Sequence, residues 1–418
     1  MGKRRHSGVG FGIVTPEGNE ADDPRVPRPR KPGRLFFANP GPTNIPDSVL
    51  RAMDRPTTDF MSADFIEVYD RAVAGLKRLL FTTGEVFIYT SSGHGAWEAT
   101  LQNLFSPGDR ILMPEAGYFS HVWGAMARAL GLEVEMPEAD WRRGPDIGAI
   151  AERLAADTAH EIKAICIVHN ETSTGVAVPL PEIRAALDAA GHPALLLADT
   201  ISSFGSIEFR MADWGIDAVV GGSQKGLMLP AGLAFTAVSE KALAAHAQAR
   251  LTRFYFDWTR MMARRHRSFT GTVPIAPFYG LLESVRLIEA EGIEAVWRRH
   301  HRLAEATRRA VSVWSGNQGV AFYCADPARR SDSVTAIRMP EGHDGEAVRR
   351  IAYDRFNVSL GAGLDPLGGK VFRIGHMGDL NEAMLLGTLG VVEMALRLAR
   401  VPHARGGVDA AIEYLGAG

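Results

Sequence analysis

The segment ALLLADTISSFGSIEFRMADWGIDAVVGGSQKG (194–226) contains two apolar runs, and a residue with distinctive chemistry follows each of them. The run ALLLA (194–198) is followed by Asp199, and the run DAVVG (217–221) is followed closely by Lys225. Runs of this length and composition, bounded by turn residues, predict strands that are buried on both faces. Such strands are typical of a parallel sheet covered by helices, in which ligands bind beyond the carboxyl ends of the strands.

The same pattern extends outward on both sides, from about residue 35 to residue 250. Amphipathic stretches such as AWEATLQNLF, HVWGAMARAL, DIGAIAERLAAD and LPEIRAALDAAG separate short apolar runs and predict helices. The predicted strands are 86–89, 110–113, 132–136, 164–168, 194–198, 217–221 and 233–238. We therefore predict an α/β fold with a mainly parallel sheet.

Changes of pattern along the chain predict four segments. Residues 1–33 are rich in Pro, Gly and charged residues and are predicted to form a mobile arm. Residues 34–275 form the large α/β domain, and residues 276–316 form a connecting helix in which WRRHHR (297–302) is expected to lie on a solvated face. Residues 317–418 alternate strands and helices and predict a smaller α+β C-terminal domain.

Composition excludes several classes of function. The chain has 418 residues, 46 Lys+Arg against 48 Asp+Glu and a net charge of -2, which argues against a protein that binds nucleic acid through phosphates. It contains neither an apolar run long enough to span a membrane nor a signal-peptide pattern. Cys166 and Cys324 lie in apolar runs and are expected to be buried thiols, which suits the cytoplasm, and no spacing predicts a metal site.

The first predicted strand leads into TSSGHGAWE (90–98), where Ser92, Gly93 and His94 precede a helix. Hydroxyl groups and free amides at a helix N-terminus can hold a phosphate. The motif lacks the lysine of a Walker A loop and the third glycine of a dinucleotide fingerprint. A helix that is simply capped by serine is the alternative interpretation.

Asp199 and Lys225 also have two interpretations each. Asp199 could cap a turn, or it could pair with a protonated ring nitrogen. Lys225 could be an ordinary turn residue, but the chain contains only seven lysines and this one follows a buried strand, which favours a role for a deprotonable amine. A phosphate cradle, a carboxylate and a lysine at one edge of a sheet are the groups that pyridoxal 5'-phosphate requires.

These motifs, together with NPGPTNIP (39–46), HNETSTG (169–175) and GSQKGLMLPAGL (222–233), resemble the class V, fold type I aminotransferases. The resemblance covers about residues 37–398 and is strongest to the group containing the alanine:glyoxylate and serine:glyoxylate enzymes. It implies the fold type I architecture, pyridoxal phosphate as cofactor and a homodimer with shared active sites.

The resemblance also implies roles for individual residues. Lys225 matches the lysine that forms a Schiff base with the cofactor, Asp199 faces the pyridine nitrogen, and Phe119 stacks on the ring. Thr172 meets the 3' oxygen, and Arg373 grips the substrate carboxylate. The remaining matches are the phosphate-pocket residues Ser92, Gly93, His94 and Gln224 and the substrate-pocket residues Gly41, Pro42 and Thr43.

The stretch RSFTGTVP (267–274) corresponds to a segment that, in the family, reaches into the neighbouring subunit and often offers a tyrosine hydroxyl to the phosphate. Phe269 occupies that position here, so Thr272 is the predicted hydroxyl. The neighbouring run RRHR (264–267) could attract acidic substrates.

The function expected from the resemblance is transamination between serine or alanine and glyoxylate. Aspartate or another small amino acid is the alternative donor. A nicotinamide-dependent dehydrogenase is a more distant alternative, which the absence of the dinucleotide fingerprint disfavours. A sulfur-abstracting lyase would need a reactive cysteine on a loop, whereas Cys324 lies in a predicted strand.

Overall fold

The computed structural model describes residues 32–264 and 269–417. Its strands are, in chain order, β1 (Phe36–Ala38), β2 (Glu85–Ser91), β3 (Arg110–Leu112), β4 (Glu133–Glu135), β5 (Ile162–Val168), β6 (Asn170–Glu171), β7 (Val176–Ala177), β8 (Leu195–Asp199), β9 (Ala218–Gly222), β10 (Gly232–Val238), β11 (Ala321–Phe322), β12 (Val334–Arg338), β13 (Val358–Ala362) and β14 (Val371–Gly375). Its α-helices are α1 (Asp47–Met53), α2 (Ala63–Leu80), α3 (Gly93–Leu104), α4 (Tyr118–Ala129), α5 (Ile147–Ala156), α6 (Leu180–Ala189), α7 (Glu240–His246), α8 (Trp258–Arg264), α9 (Ile275–Glu291), α10 (Ile293–Trp314), α11 (Gly345–Phe356), α12 (Glu382–Leu398) and α13 (Gly407–Gly416).

The larger sheet has seven strands in the order β2-β10-β9-β8-β5-β3-β4. The pairs from β9 to β4 are parallel, while β10 runs antiparallel to both β9 and β2. Every strand predicted from the sequence between residues 86 and 238 lies in this sheet, which confirms the predicted α/β class. The carboxyl ends of β5 and β8 are paired through Val168 and Asp199, so the loops that follow them share one edge.

Successive side chains of β5 point to opposite faces of the larger sheet, and a hydrophobic core covers each face. Ile165 and Ile167 belong to one hydrophobic core, and Cys166, between them, belongs to a second core on the other face. Helices α2 and α9 contribute Leu76 and Leu281 to the first core. Both faces of the strand must therefore be apolar, and this requirement produces the continuous apolar run seen in the sequence.

A second sheet has five strands in the order β1-β13-β14-β12-β11. It packs with α10, α11, α12 and α13 around a core of its own, which includes Trp314 and Phe372. Strand β1 is parallel to β13, so residues 36–38 join this sheet although they precede the larger sheet in the chain. This pairing carries the N-terminal loop after β1 to the C-terminal part of the protein.

The segment predicted to be one connecting helix is two helices. Helix α9 ends at Glu291 and α10 begins at Ile293, with Gly292 at a φ of 86° between them. The expectation that WRRHHR lies on a solvated face is wrong for part of the run, because Trp297 and His300 are buried. His300 accepts a hydrogen bond from the backbone amide of Gly378.

None of the helices in the described residues is both long and apolar enough to cross a membrane. The described residues also contain no group of three or more His, Cys, Asp or Glu side chains that could hold a metal ion. Cys166 and Cys324 are both free and buried, as their apolar surroundings in the sequence predict.

Candidate active site

A cavity of about 280 Å³ lies at the carboxyl edge of the larger sheet. Most of the residues predicted for the site line it, together with others that the sequence did not single out. The lining residues are Gly41, Pro42, Gly93, His94, Trp97, Phe119, Asn170, Thr172, Asp199, Ile201, Ser202, Gln224, Lys225 and Ala231. The predicted residues outside this lining are Ser92, Thr43, Arg373 and Thr272.

Lys225 follows β9 and its side chain is buried in the cavity wall. Its Nζ donates a hydrogen bond to the carbonyl oxygen of Pro40 over 2.5 Å, and Thr43 Oγ1 donates to the carbonyl oxygen of Lys225 over 2.9 Å. Burial, reinforced by the positive charge of Arg373, lowers the pKa of Lys225 to about 7. A lysine with this pKa is a free amine over much of the physiological pH range, as a nucleophile or base must be.

Gly41 makes room for the Lys225 amine. Its φ is 131°, and a Cβ atom built at this position would lie 2.1 Å from Lys225 Nζ. Any side chain here would collide with the amine and would also strain the backbone. The loop after β1 therefore forms the wall directly above the reactive nitrogen.

Asp199 is the last residue of β8 and is buried. Its Oδ1 accepts a hydrogen bond from the backbone amide of Ile201 over 2.7 Å. Burial raises the pKa of Asp199 to about 7, and the nearby charge of Glu171 adds to the rise, whereas Lys225 opposes it. A positively charged N–H donor placed in the cavity would favour the ionised carboxylate, so the site suits a protonated ring nitrogen.

The N-terminus of α3 forms one end of the cavity. Ser92 is the exposed N-cap residue, and Gly93 packs so closely on Ile201 that a Cβ atom would lie 2.3 Å from Ile201 Cδ1. His94 lies against Trp97 with ring centroids 4.5 Å apart, and burial lowers its pKa. The first amides of the helix have no partners within the helix, so this end can bind an anion.

A buried glutamate to which the sequence analysis gave no role, Glu171, holds the start of α4, which forms another wall of the cavity. Glu171 Oε2 accepts hydrogen bonds from the backbone amides of Phe119 (3.0 Å) and Ser120 (3.3 Å) at the start of α4. Its Oε1 accepts from the amide and the hydroxyl of Ser173, at 3.0 and 2.6 Å. Glu171 thus fixes the position of Phe119, whose ring faces the cavity about 6.4 Å from the rings of His94 and Trp97.

Arg373 comes from β14 of the second sheet and is buried next to the cavity. Its Nε donates to the carbonyl oxygen of Ala362 over 2.7 Å, and its Nη1 donates to that of Thr172 over 2.8 Å. Burial lowers the pKa of Arg373 to about 10. Among the described residues no carboxylate lies within ion-pair distance of Arg373, although the nearby charge of Glu171 opposes the lowering of its pKa. A substrate carboxylate could therefore form a direct ion pair with this guanidinium.

The predicted cross-subunit segment is described from residue 269 onward. Phe269 is buried against Phe278, with ring centroids 5.8 Å apart, whereas Thr272 is exposed and does not line the cavity of its own chain. Residues 265–268, including most of RRHR, lie outside the described residues.

The chemistry of this set of residues fits pyridoxal phosphate. Lys225 provides an amine for an aldehyde, Asp199 a carboxylate for a ring nitrogen, and the N-terminus of α3 provides amides for a phosphate. Apart from these interactions with the cofactor, two buried side-chain oxygens of the lining, Asn170 Oδ1 and Gln224 Oε1, have no hydrogen-bond partner among the described residues. Buried polar atoms of this kind are costly unless a ligand or water satisfies them.

The residues of the site that were given no role from the sequence include Pro40, Asn170 and Glu171, besides the lining residues Trp97, Ile201, Ser202 and Ala231. Asn170 and Glu171 lie in the quoted motif HNETSTG, and their position just after β5 was the available signal. Pro40 acts through its backbone carbonyl, for which side-chain chemistry gives no indication.

Comparison with known proteins agrees with this geometry. The model of the family "Aminotransferase class-V" matches residues 35–366. A serine–glyoxylate aminotransferase of Methylorubrum extorquens is 46% identical over 394 residues, covering 92% of this chain and 97% of that protein. An L-aspartate–glyoxylate aminotransferase of Paracoccus denitrificans is 43% identical over 378 residues, covering 90% of this chain and 94% of that protein. The crystal structure of a ureidoglycine–glyoxylate aminotransferase from Bacillus subtilis superimposes with a TM-score of 0.85 at 27% identity, covering 93% of this chain and 100% of that one.

Proposed function

This chain belongs to the class-V aminotransferases, which use pyridoxal 5'-phosphate, and we propose that it transfers the amino group of a small amino acid to glyoxylate. The observation that carries the proposal is the buried Lys225 amine in the same cavity as Asp199. When bound, pyridoxal phosphate supplies an electron-withdrawing ring that carries the amino group between the two substrates. The remaining chemistry belongs to side chains of this protein.

Lys225 is proposed as the covalent attachment point and as the general base that moves the proton of the donor's Cα. Its lowered pKa supports this role, because a base must be unprotonated at the working pH. In the resting structure the Pro40 carbonyl holds Nζ over the cavity. Asp199 is proposed to hold the ring nitrogen in its protonated form, which its burial beyond the end of β8 supports.

The phosphate is proposed to bind Ser92, Gly93, His94 and Gln224, with Thr272 contributed by a partner subunit. The backbone amides at the start of α3 support the assignments of Ser92, Gly93 and His94. Gln224 is included because it lines the same cavity, and the NH2 group of its side chain can donate to a phosphate oxygen. Phe119 is proposed to cover one face of the ring, because Glu171 fixes the start of its helix. Thr172 is proposed to meet the ring's 3' oxygen, since it lines the same cavity.

Arg373 is proposed to bind the substrate carboxylate, with Gly41, Pro42 and Thr43 closing the pocket above it. A guanidinium held by two carbonyl oxygens is rigid, and a rigid fork suits a planar carboxylate. The relatives that use serine or aspartate with glyoxylate support small donors for this chain, and alanine and aspartate remain candidates beside serine.

The protein is proposed to work as a homodimer in the cytoplasm. The exposed apolar side chains of Phe254, Tyr255 and Met262 support an interface near residues 269–274. Exposure of Thr272 also suits a residue that completes a neighbouring site. The buried free thiols of Cys166 and Cys324 suit a reducing compartment.

An absorbance scan and a donor panel test the function. Purified protein with pyridoxal phosphate should show a visible absorption band that serine and alanine change and that glyoxylate restores. Lys225→Ala should lose both the band and turnover, while Lys241→Ala, which removes a lysine paired with Asp217, should keep them. A wild-type protein that transfers no amino group from serine, alanine or aspartate to glyoxylate would contradict the proposal.

A further inference from the structure

Asn170 is held in one orientation by the hydroxyl groups around it. Its Nδ2 donates to Ser202 Oγ and to Ser333 Oγ, each at 2.8 Å. Ser202 Oγ in turn donates its proton to the backbone carbonyl oxygen of Asn170 over 2.8 Å. Because that proton is already used, Ser202 Oγ can only accept from the amide, and a flipped amide would place two acceptors against each other.

This orientation leaves Oδ1 as an acceptor that lacks a donor. Asn170 is only 2% exposed, it lines the cavity beside Thr172, and its Oδ1 has no partner among the described residues. Two cationic side chains at the cavity donate to other groups, since Lys225 donates to the carbonyl of Pro40 and Arg373 donates to the carbonyls of Ala362 and Thr172. A buried acceptor left in this state is costly, so a bound ligand that brings a donor is favoured.

Resting on the proposed function, we propose that Asn170 Oδ1 is a subsite for the side-chain hydroxyl group of the amino donor. Carboxylate and keto oxygens cannot donate a hydrogen bond, and the proposed reaction requires the donor's amino group at the Lys225 end of the cavity. The side-chain hydroxyl is therefore the group of the amino donor that remains to satisfy this atom. The hydroxyl of serine can donate to it, and the methyl group of alanine cannot. The subsite therefore favours hydroxyl-bearing donors over alanine, and it acts in the half-reaction that consumes the donor.

The neighbouring polar groups make the subsite specific for an amino donor whose side chain is uncharged. Both N–H groups of Asn170 are used by the two serines, so the side chain has none to offer to an acidic substituent such as that of aspartate. A second carboxylate would meet Oδ1 as acceptor against acceptor. Aspartate should accordingly be a poorer donor than serine.

The test compares kcat/KM for serine with kcat/KM for alanine in the wild type and in Asn170→Ala. The ratio should fall by roughly tenfold or more, the range for a hydrogen bond to a buried acceptor that otherwise stays unpaired. Ser331→Ala is the control, because the Ser331 hydroxyl is hydrogen-bonded to the hydroxyl of Ser333 and not to Asn170. The ratio of the two kcat/KM values in this variant should stay within about twofold of the wild type. An equal fall for both donors in Asn170→Ala would overturn the proposal.

A binding measurement on the wild-type holoenzyme keeps the inference testable if Asn170→Ala does not fold. The probes are 3-hydroxypropionate and propionate, which carry a carboxylate but no amino group and cannot turn over. Quenching of protein fluorescence should give a Kd roughly tenfold lower for 3-hydroxypropionate. Equal Kd values would overturn the subsite, whereas failure of the amino-transfer assay with every donor would overturn the proposed function instead.

Discussion

The Nζ atom of Lys225 donates a hydrogen bond to the carbonyl oxygen of Pro40, a residue 185 positions earlier in the chain. The bond joins the loop after β1, a strand of the second sheet, to the reactive end of the larger sheet. The lysine is therefore preorganised by main chain rather than by an acidic side chain. A neutral carbonyl partner does not oppose the loss of the proton as strongly as a carboxylate would, which agrees with its pKa of about 7.

We expect capture of pyridoxal phosphate by the unliganded protein to follow the protonation of Lys225. The pKa is lowered from 10.5 to about 7, so the free amine is lost as the pH falls through 7. Stopped-flow absorbance should show a capture rate that rises with pH to a plateau, with a midpoint near pH 7. Arg373→Gln should move the midpoint upward because it removes a nearby positive charge. A wild-type midpoint near pH 10 would contradict this prediction.

Gly41→Ala should impair the site without replacing any predicted catalytic side chain. The new Cβ atom would lie 2.1 Å from Lys225 Nζ, and the φ of 131° would add roughly 1–3 kcal/mol of backbone strain. We expect capture of the cofactor to slow by at least about tenfold. Gly390→Ala on α12, where nothing lies within 4 Å of the added atom, is the matched control and should behave like wild type. Similar kinetics in the two variants would show that the loop can move away.

Asp199→Asn should retain cofactor binding and lose most of the catalytic rate. A pair of opposite charges in contact is worth roughly 4 kcal/mol at an effective dielectric constant near 20, so loss of the carboxylate should lower kcat by more than about a hundredfold. Single-turnover kinetics with serine measure the effect. Asp217→Asn changes a buried carboxylate at the opposite edge of the same sheet and should affect stability rather than the rate. Activity of Asp199→Asn within a few fold of wild type would remove Asp199 from this role.

Arg373→Lys should raise KM for the amino donor and for glyoxylate together, while the cofactor spectrum stays unchanged. The ammonium group is a point charge and cannot reproduce the planar fork that grips both carboxylate oxygens. Arg373→Ala should lower kcat/KM by an amount worth on the order of 3 kcal/mol. Arg338→Lys, on β12 and exposed, serves as the control. Unchanged KM values in both Arg373 variants would mean that the carboxylate binds elsewhere, and Arg265 and Arg267 would then be tested.

If sites are shared between subunits, two inactive proteins should complement each other. A mixture of Lys225→Ala with a Gly271 and Thr272 double alanine variant should regain activity, because a mixed dimer contains one site with neither defect. Activity should appear at the rate of subunit exchange, followed by mass spectrometry of isotope-labelled chains. Proven exchange without any recovery would show that each subunit builds its site alone.

A structural feature could be predicted from the sequence when its cause lies in residues that are neighbours in the chain. The strands of the larger sheet, Asp199 and Lys225 were predicted correctly in position because apolar runs and the residues that end them depend on neighbouring positions in the chain. The family was recognisable for the same reason, since its motifs are short and contiguous. The burial of His300 was missed because it depends on what packs against α10. The break at Gly292 was also missed, although a glycine at positive φ is a local signal for the end of a helix.

Only the tertiary structure decided which hydrogen-bonding groups meet when they are far apart in the chain. The Pro40 carbonyl reaches Lys225 because β1 pairs with β13, and no local pattern of three residues could predict that pairing. The orientation of the Asn170 amide depends on Ser333, 163 residues away, and on a proton that Ser202 has already used. Local patterns determine which residues end a strand, because a strand buried on both faces requires an apolar run that is contiguous in the chain. Partners and unpaired atoms are decided by packing, because a hydrogen bond requires two groups to be close in space rather than in sequence.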